Sequence, residues 1–174
     1  QSQIIKGFNQ LGTLMEALGS SKEWENYSLG VTEEEYHSLE HIINRQIAFN
    51  GWFTKENVKQ SLKALGERLN EKELNTWSSN YSYSDEAKNV AVIMAGNIPL
   101  VGFHDFLTIL ISGNNVVAKL SSDDKTMLPA LAEHLIAFVP ELKERIKFSL
   151  GPIGDVDAVI ATGSDNSLKF FEIP

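Results

Sequence analysis

The sequence predicts an α/β chain, with a helical N-terminal segment over residues 1–85 and an open parallel sheet over residues 86–174. Three observations predict it. Through the first half, apolar residues recur at i, i+3, i+4 and i+7, the period of a helix with one buried face. Past residue 88 the pattern changes to short apolar runs, as in strands buried on both faces. Helical stripes separate the first three runs, and strand, helix, strand, helix, strand is a right-handed parallel unit.

Each element has a local cause. Ile4, Ile5, Phe8, Leu11, Met15 and Leu18 form the first stripe, and Gly19 is its expected stop. Residues 20–30 are polar and read as loop. Thr32 and Glu35 make a capping box, flanked by Val31 and Tyr36 as a hydrophobic staple. Tyr36, Leu39, Ile43 and Ile47 then form one stripe. Thr54 repeats the cap, with Phe53 and Val58 as staple and Val58, Leu62, Leu65 and Leu69 as stripe. Asn70 with Glu73 caps a short helix bearing Leu74 and Trp77. Residues 78–88 are rich in Ser, Asn, Tyr and Asp and read as a linker. Residues 89–95, 115–120, 146–150 and 157–161 are the predicted strands. Phe103, Phe106, Leu107, Leu110 and Ile111 mark the helix between the first two, ended by Gly113. Ser121 to Asp124 offer cap candidates for the next helix, whose Leu128, Leu131, Leu135 and Phe138 point inward before Pro140 stops it.

Composition narrows the function. The 174 residues carry a net charge of −8, from 15 Lys and Arg against 23 Asp and Glu, with no basic run. Such a surface repels nucleic acid and anionic membranes. No apolar run approaches the ~20 residues of a membrane span. The N-terminus has no signal-peptide pattern, so a cytoplasmic chain is expected. There is no Cys, which excludes disulfides, Cys-ligated zinc and a thiol nucleophile within this stretch. His37 and His41 have metal-clamp spacing but no third ligand, so a solvated helix face is expected. His134 is expected at the surface. No nucleotide fingerprint of the Gly-x-Gly-x-x-Gly or P-loop type occurs.

Open parallel sheets bind ligands at the carboxyl ends of their strands, which directs attention to three turns. In Gly96-Asn97-Ile98-Pro99, Asn97 is a side-chain donor at a strand end. The turn is either a plain tight connection or an oxyanion site. In Lys119-Leu120-Ser121-Ser122-Asp123-Asp124, Lys119 brings an ammonium to the sheet edge, either for a ligand or to pair with Asp123 or Asp124. In Thr162-Gly163-Ser164, a helix start offers either an ordinary cap or an anion site. His104 and Asp105 follow the first turn, within reach of a ligand there.

Three phrases together resemble the nucleotide-binding half of the aldehyde dehydrogenase superfamily: Gly96-Asn97-Ile98-Pro99-Leu100, Gly113-Asn114-Asn115-Val116-Val117-Ala118-Lys119-Leu120-Ser121-Ser122 and Ala161-Thr162-Gly163-Ser164. The closer likeness is to the fatty acyl-CoA reductase family of bacterial luminescence. It is most specific across residues 89–172. The resemblance implies a Rossmann-type sheet and reduction of a fatty acyl thioester to aldehyde with NADPH. It implies that Asn97 donates to the thioester oxygen and that Lys119 holds the adenosine ribose hydroxyls. Ile98 and Pro99 would line the nucleotide cleft, and Gly163 and Ser164 would lie against the pyrophosphate.

Two departures from the family pattern carry information. Many NAD-using members have Glu three residues after the Lys, and here that position is Ser122. Serine leaves room for a 2′-phosphate that a carboxylate would repel, which points to NADPH. Asp123 and Asp124 add negative charge beside it. The nucleophilic Cys of the family lies downstream of the Thr-Gly-Ser turn and has no counterpart here. The chain therefore reads as an inactive fragment of a reductase, with a non-catalytic nucleotide- or acyl-binding module and a structural interaction protein as the alternatives. Half of a parallel sheet leaves an open edge and an apolar face, so association of the fragment with itself, as a homo-oligomer, or with a missing partner segment is expected.

Overall fold

The computed structural model describes residues 1–161. Helix α1 (Ser2–Gly19) buries all six residues of its predicted stripe, and Gly19 is its last residue. Helix α2 (Glu33–Arg45) starts at the predicted capping box: Glu35 N–H donates to Thr32 Oγ1 at 3.2 Å, and Thr32 N–H donates to Glu35 Oε2 at 2.7 Å. The buried Tyr36 hydroxyl donates to the Lys22 carbonyl at 2.7 Å, pinning the loop before α2, and burial pushes its pKa up to about 12. Helix α3 (Lys55–Gly66) is capped by Thr54 and helix α4 (Glu71–Ser78) by Asn70, as expected from sequence.

Ile47 departs from the expected stripe. It is 52% exposed. Helix α2 ends at Arg45, and residues 46–48 tighten into a 3₁₀ turn. That change of pitch turns Ile47 outward and buries Gln46.

The second half is the predicted parallel sheet. Strands β1 (Asn89–Ile93), β2 (Asn115–Lys119), β3 (Ile146–Ser149) and β4 (Ala158–Ala161) stand in the order β3-β2-β1-β4, all parallel. Ile93 lies opposite Lys119 on one side and Ala161 on the other. Helix α5 (Phe103–Ile111) connects β1 to β2, and helix α6 (Met127–Phe138) connects β2 to β3. Residues 150–157 then carry the chain from one edge of the sheet to the far side of β1.

One of the cap predictions fails. Residues 121–124 do not cap α6, which begins at Met127. They close a tight turn of their own, with a bridge between Ser121 and Asp124 and with Ser121 Oγ accepting from Asp123 N–H at 3.2 Å. Thr126 stands at the N-cap, and its hydroxyl accepts from Gln46 Nε2 at 2.8 Å instead of capping the helix.

The core is continuous from the helices to the sheet. It contains Phe8, Leu11 and Leu62 together with Phe106, Val92, Val116 and Leu135. Phe8 meets Phe103 and Phe106 edge-on, with ring centroids 6.3 and 6.4 Å apart. On its other side α1 packs against α3 at close range. A Cβ on Gly66 would lie 2.7 Å from the Gly12 carbonyl oxygen and 2.8 Å from Glu16 N. Both of these are backbone atoms, which cannot swing away as a side chain can. Gly66→Ala therefore has to push two helices apart. Such overpacking typically costs about 1–3 kcal/mol, part of which the better helix propensity of Ala (about 1 kcal/mol) offsets. A thermal melt of Gly66→Ala should show a loss of a few degrees, and an unchanged or higher midpoint would refute the close packing.

Candidate active site

The strand order fixes where a ligand crevice lies. The chain runs outward from β1 to β2 to β3 and then reverses to place β4 on the opposite side of β1. The connection from β1 leads to β2 on one side and the connection from β3 leads to β4 on the other, so the carboxyl ends of β1 and β4 border the crevice of such a sheet. The turn that follows β1 contains Asn97, and Lys119 ends the adjacent β2.

The Gly96 turn is held from several sides. The Gly96 carbonyl accepts from Asn50 Nδ2 at 2.7 Å. Gly96 sits so close to Ser121 and Asp123 that a Cβ would collide with the Ser121 side chain, which explains the glycine. Leu100 takes a left-handed conformation (φ 61°), uncommon for a side chain that is not Gly or Asn. Its N–H donates to Asp124 Oδ2 at 2.9 Å, which secures that conformation. Asp124 is buried and its other oxygen has no partner. Burial raises its pKa, and the Leu100 N–H acts against that rise.

With its neighbours fixed, Asn97 stands exposed, and its side-chain amide makes no hydrogen bond among the described residues. Ile98 is 53% exposed beside it, and Pro99 is half-buried. A groove of about 430 Å³ opens next to this turn. Trp52, Asn57, Gln60, Ser61 and Ala64 line it from the helical segment, opposite Asn97, Ile98 and Pro99.

Lys119 is half-buried at the end of β2 and forms no ion pair among the described residues. Pairing with Asp123 or Asp124 is not observed. Asp124 turns inward to Leu100, and Asp123 accepts from the Ser122 hydroxyl at 3.1 Å. Ser122 is exposed and brings no charge to the edge. An unpaired ammonium, an exposed hydroxyl and a glycine turn on adjacent strand ends fit the sugar and phosphate oxygens of a nucleotide. Gly163 and Ser164 lie outside the described residues.

The remaining candidates are placed elsewhere. The His104 ring lies against the edge of Trp77, with centroids 6.3 Å apart. His37 and His41 are exposed, and His37 pairs with Glu40 at 2.9 Å and Glu33 at 3.8 Å. These carboxylates raise its pKa, the Glu40 hydrogen bond foremost. His134 is half-buried, contrary to expectation, and burial lowers its pKa.

Sequence reasoning missed the contribution of residues 46–52. Gln46 reaches Thr126, Phe49 lies under the Lys125 ammonium at 5.1 Å, and Asn50 reaches Gly96. The Asn50-Gly51 pair was a legible turn signal, although nothing local showed what the turn would touch.

A helical layer over a four-stranded parallel sheet defines an α/β protein of the open-sheet class. The acyl-CoA reductase (LuxC) family matches residues 11–172, and the chain belongs to that family. The match begins inside α1, so the helical segment is part of the family's sequence as well. Membership implies acyl-CoA reductase activity. No curated protein and no solved structure matches the chain. Among the described residues, no helix is long and apolar enough to cross a membrane.

Asp124 gives the site a pH signature. Its folded pKa is raised above the ordinary 3.8, so the folded chain holds that proton more tightly than the unfolded one. The sign follows: stability from this group is greatest at and below pH 3.8. It falls as pH rises from 3.8 through the folded pKa, then levels off. Asp124→Asn keeps an acceptor for Leu100 N–H and removes the charge. Urea midpoints should fall less between pH 4 and pH 7 in this variant than in the natural chain. Asp124→Ala leaves a buried N–H without its acceptor and should cost about 1–3 kcal/mol at either pH.

Proposed function

We propose that this chain forms the nucleotide-binding half of an NADPH-dependent fatty acyl-CoA reductase. The observation that carries the reading is the pairing of the free Asn97 amide with the unpaired Lys119 ammonium on adjacent strand ends at the switch point, in a chain of the acyl-CoA reductase family. Asn97 donates to the thioester oxygen as negative charge develops there. Lys119 holds the adenosine ribose, Ser122 leaves space for the 2′-phosphate, and Ile98 and Pro99 line the cleft. Gly163 and Ser164 receive the pyrophosphate. When bound, NADPH supplies the hydride.

Because the 174 residues contain no Cys, the nucleophilic thiol comes from outside them. It displaces CoA from the acyl thioester, and the acyl-enzyme takes up hydride and releases aldehyde as the thiol is regenerated. The 174 residues alone are inactive. The same absence of Cys favours a second reading, a nucleotide- or acyl-binding module without catalysis. We place the protein in the cytoplasm. We also propose that the protein assembles into a homo-oligomer.

The deciding assay uses the natural polypeptide that contains these residues, with NADPH and a long-chain acyl-CoA. Turnover to aldehyde supports the reductase, and NADPH binding without turnover supports the module. In the active protein, Asn97→Ala should lower kcat by about 10²–10³ with little change in KM, the usual effect of losing one oxyanion donor. Lys119→Ala should weaken NADPH binding and leave acyl-CoA binding unchanged. A natural kcat in Asn97→Ala would refute its role. Sedimentation at rising concentration tests self-association, and a monomer throughout would exclude it.

A further inference from the structure

We infer that Asn50, from the helical segment, is a positioning residue for the reaction. This inference rests on the assignment of Asn97 as oxyanion donor. The Asn50 amide spans the two units. Its Oδ1 accepts from Trp52 N–H at 2.9 Å, and its Nδ2 donates to the Gly96 carbonyl at 2.7 Å. The two partners fix the orientation of the amide, because an N–H requires the oxygen and a carbonyl requires the nitrogen. Trp52 and Asn97 face each other across the same groove, so a single side chain ties its two walls together.

The peptide that Asn50 holds is the one joining Gly96 to Asn97. Fixing its carbonyl fixes the plane from which the Asn97 backbone starts. Beyond Asn97, the Asp124 bond to Leu100 N–H provides the second anchor. The Asn97 backbone therefore sits between two fixed points, which set where its side chain starts and how far along the groove the amide can reach. Preorganised donors stabilise developing charge without reorganisation, and small misplacements at a reacting centre are costly. The segment that bears Asn50 is itself seated by Gln46 on Thr126 and by Phe49 under Lys125. The helical layer thus reaches the Gly96 turn and the residues that follow the Lys119–Asp124 turn.

Asn50→Asp tests this in the full natural polypeptide. Aspartate has the same shape and retains the acceptor for Trp52 N–H. It loses the donor and sets a carboxylate against the Gly96 carbonyl. We expect kcat to fall by about 10- to 100-fold, with KM for acyl-CoA and NADPH within about twofold of natural. Protonation restores an O–H donor, so the ratio of variant to natural kcat should rise as pH falls from 8 towards 5. In an Asn97→Ala background, Asn50→Asp should change kcat by no more than about twofold, because its effect passes through Asn97. Should Asn50→Asp fold poorly in a thermal melt, Asn50→Ala is read in the same cycle.

A natural kcat in the Asn50 variant, a pH-independent ratio, or full additivity with Asn97→Ala overturns the inference. If Asn97→Ala itself turns over at the natural rate, the assignment of Asn97 has failed. If Asn97→Ala is slow and Asn50→Asp is not, only the role of Asn50 has failed.

Discussion

The structure depends on the double contact of α1. One side of this helix presents Phe8 edge-on to Phe103 and Phe106 of α5, and the other brings Gly12 and Glu16 against Gly66 of α3. The aromatic side supplies buried area and a preferred ring geometry. The glycine side leaves no tolerance in the distance between helices. Together they place α3 and the turn before it at a fixed height over the sheet. The reach of Asn50 to Gly96 follows from that placement, since a hydrogen bond of 2.7 Å does not survive a shift of a few ångströms.

The site is built from polar groups already committed to one another. Asp124 is directed at Leu100, Asp123 receives Ser122, Gln46 holds Thr126, and Asn50 holds Gly96. Among the described residues, the Asn97 amide and the Lys119 ammonium are left without partners. That leaves one amide and one ammonium unengaged near the carboxyl ends of β1 and β2. The buried Asp124 carries a cost for this arrangement, visible in its raised pKa and its unpartnered oxygen. That cost buys a non-glycine residue held at positive φ beside the candidate donor.

The helical segment belongs both to the family match and to the packed core. Its sequence falls within the family match from residue 11 on, its core is continuous with that of the sheet, and its 46–52 turn touches the Gly96 loop and the start of α6. A helical layer of this kind serves as the scaffold and the outer wall of the groove.

Much of the fold could be read from the sequence because its causes are local. Thr32 with Glu35, and Thr54 and Asn70 with their own helices, lie within three residues of the groups they cap, and the apolar runs at 89, 115 and 146 have only one way to be buried. The turns at Asn97 and Lys119 were legible for the same reason, since both follow strands. The tertiary structure alone decided what spans distance. Ile47 fits the helical period but lies past the point where Gln46 is drawn inward to Thr126. Asp124 reads as a cap or an ion-pair partner until the fold brings Leu100 to it, 24 residues away in the chain. Asn50 reads as a turn residue until the fold brings Gly96 to it across 46. A side chain's choice among such partners depends on which backbone groups the packed core delivers, and no local pattern encodes that.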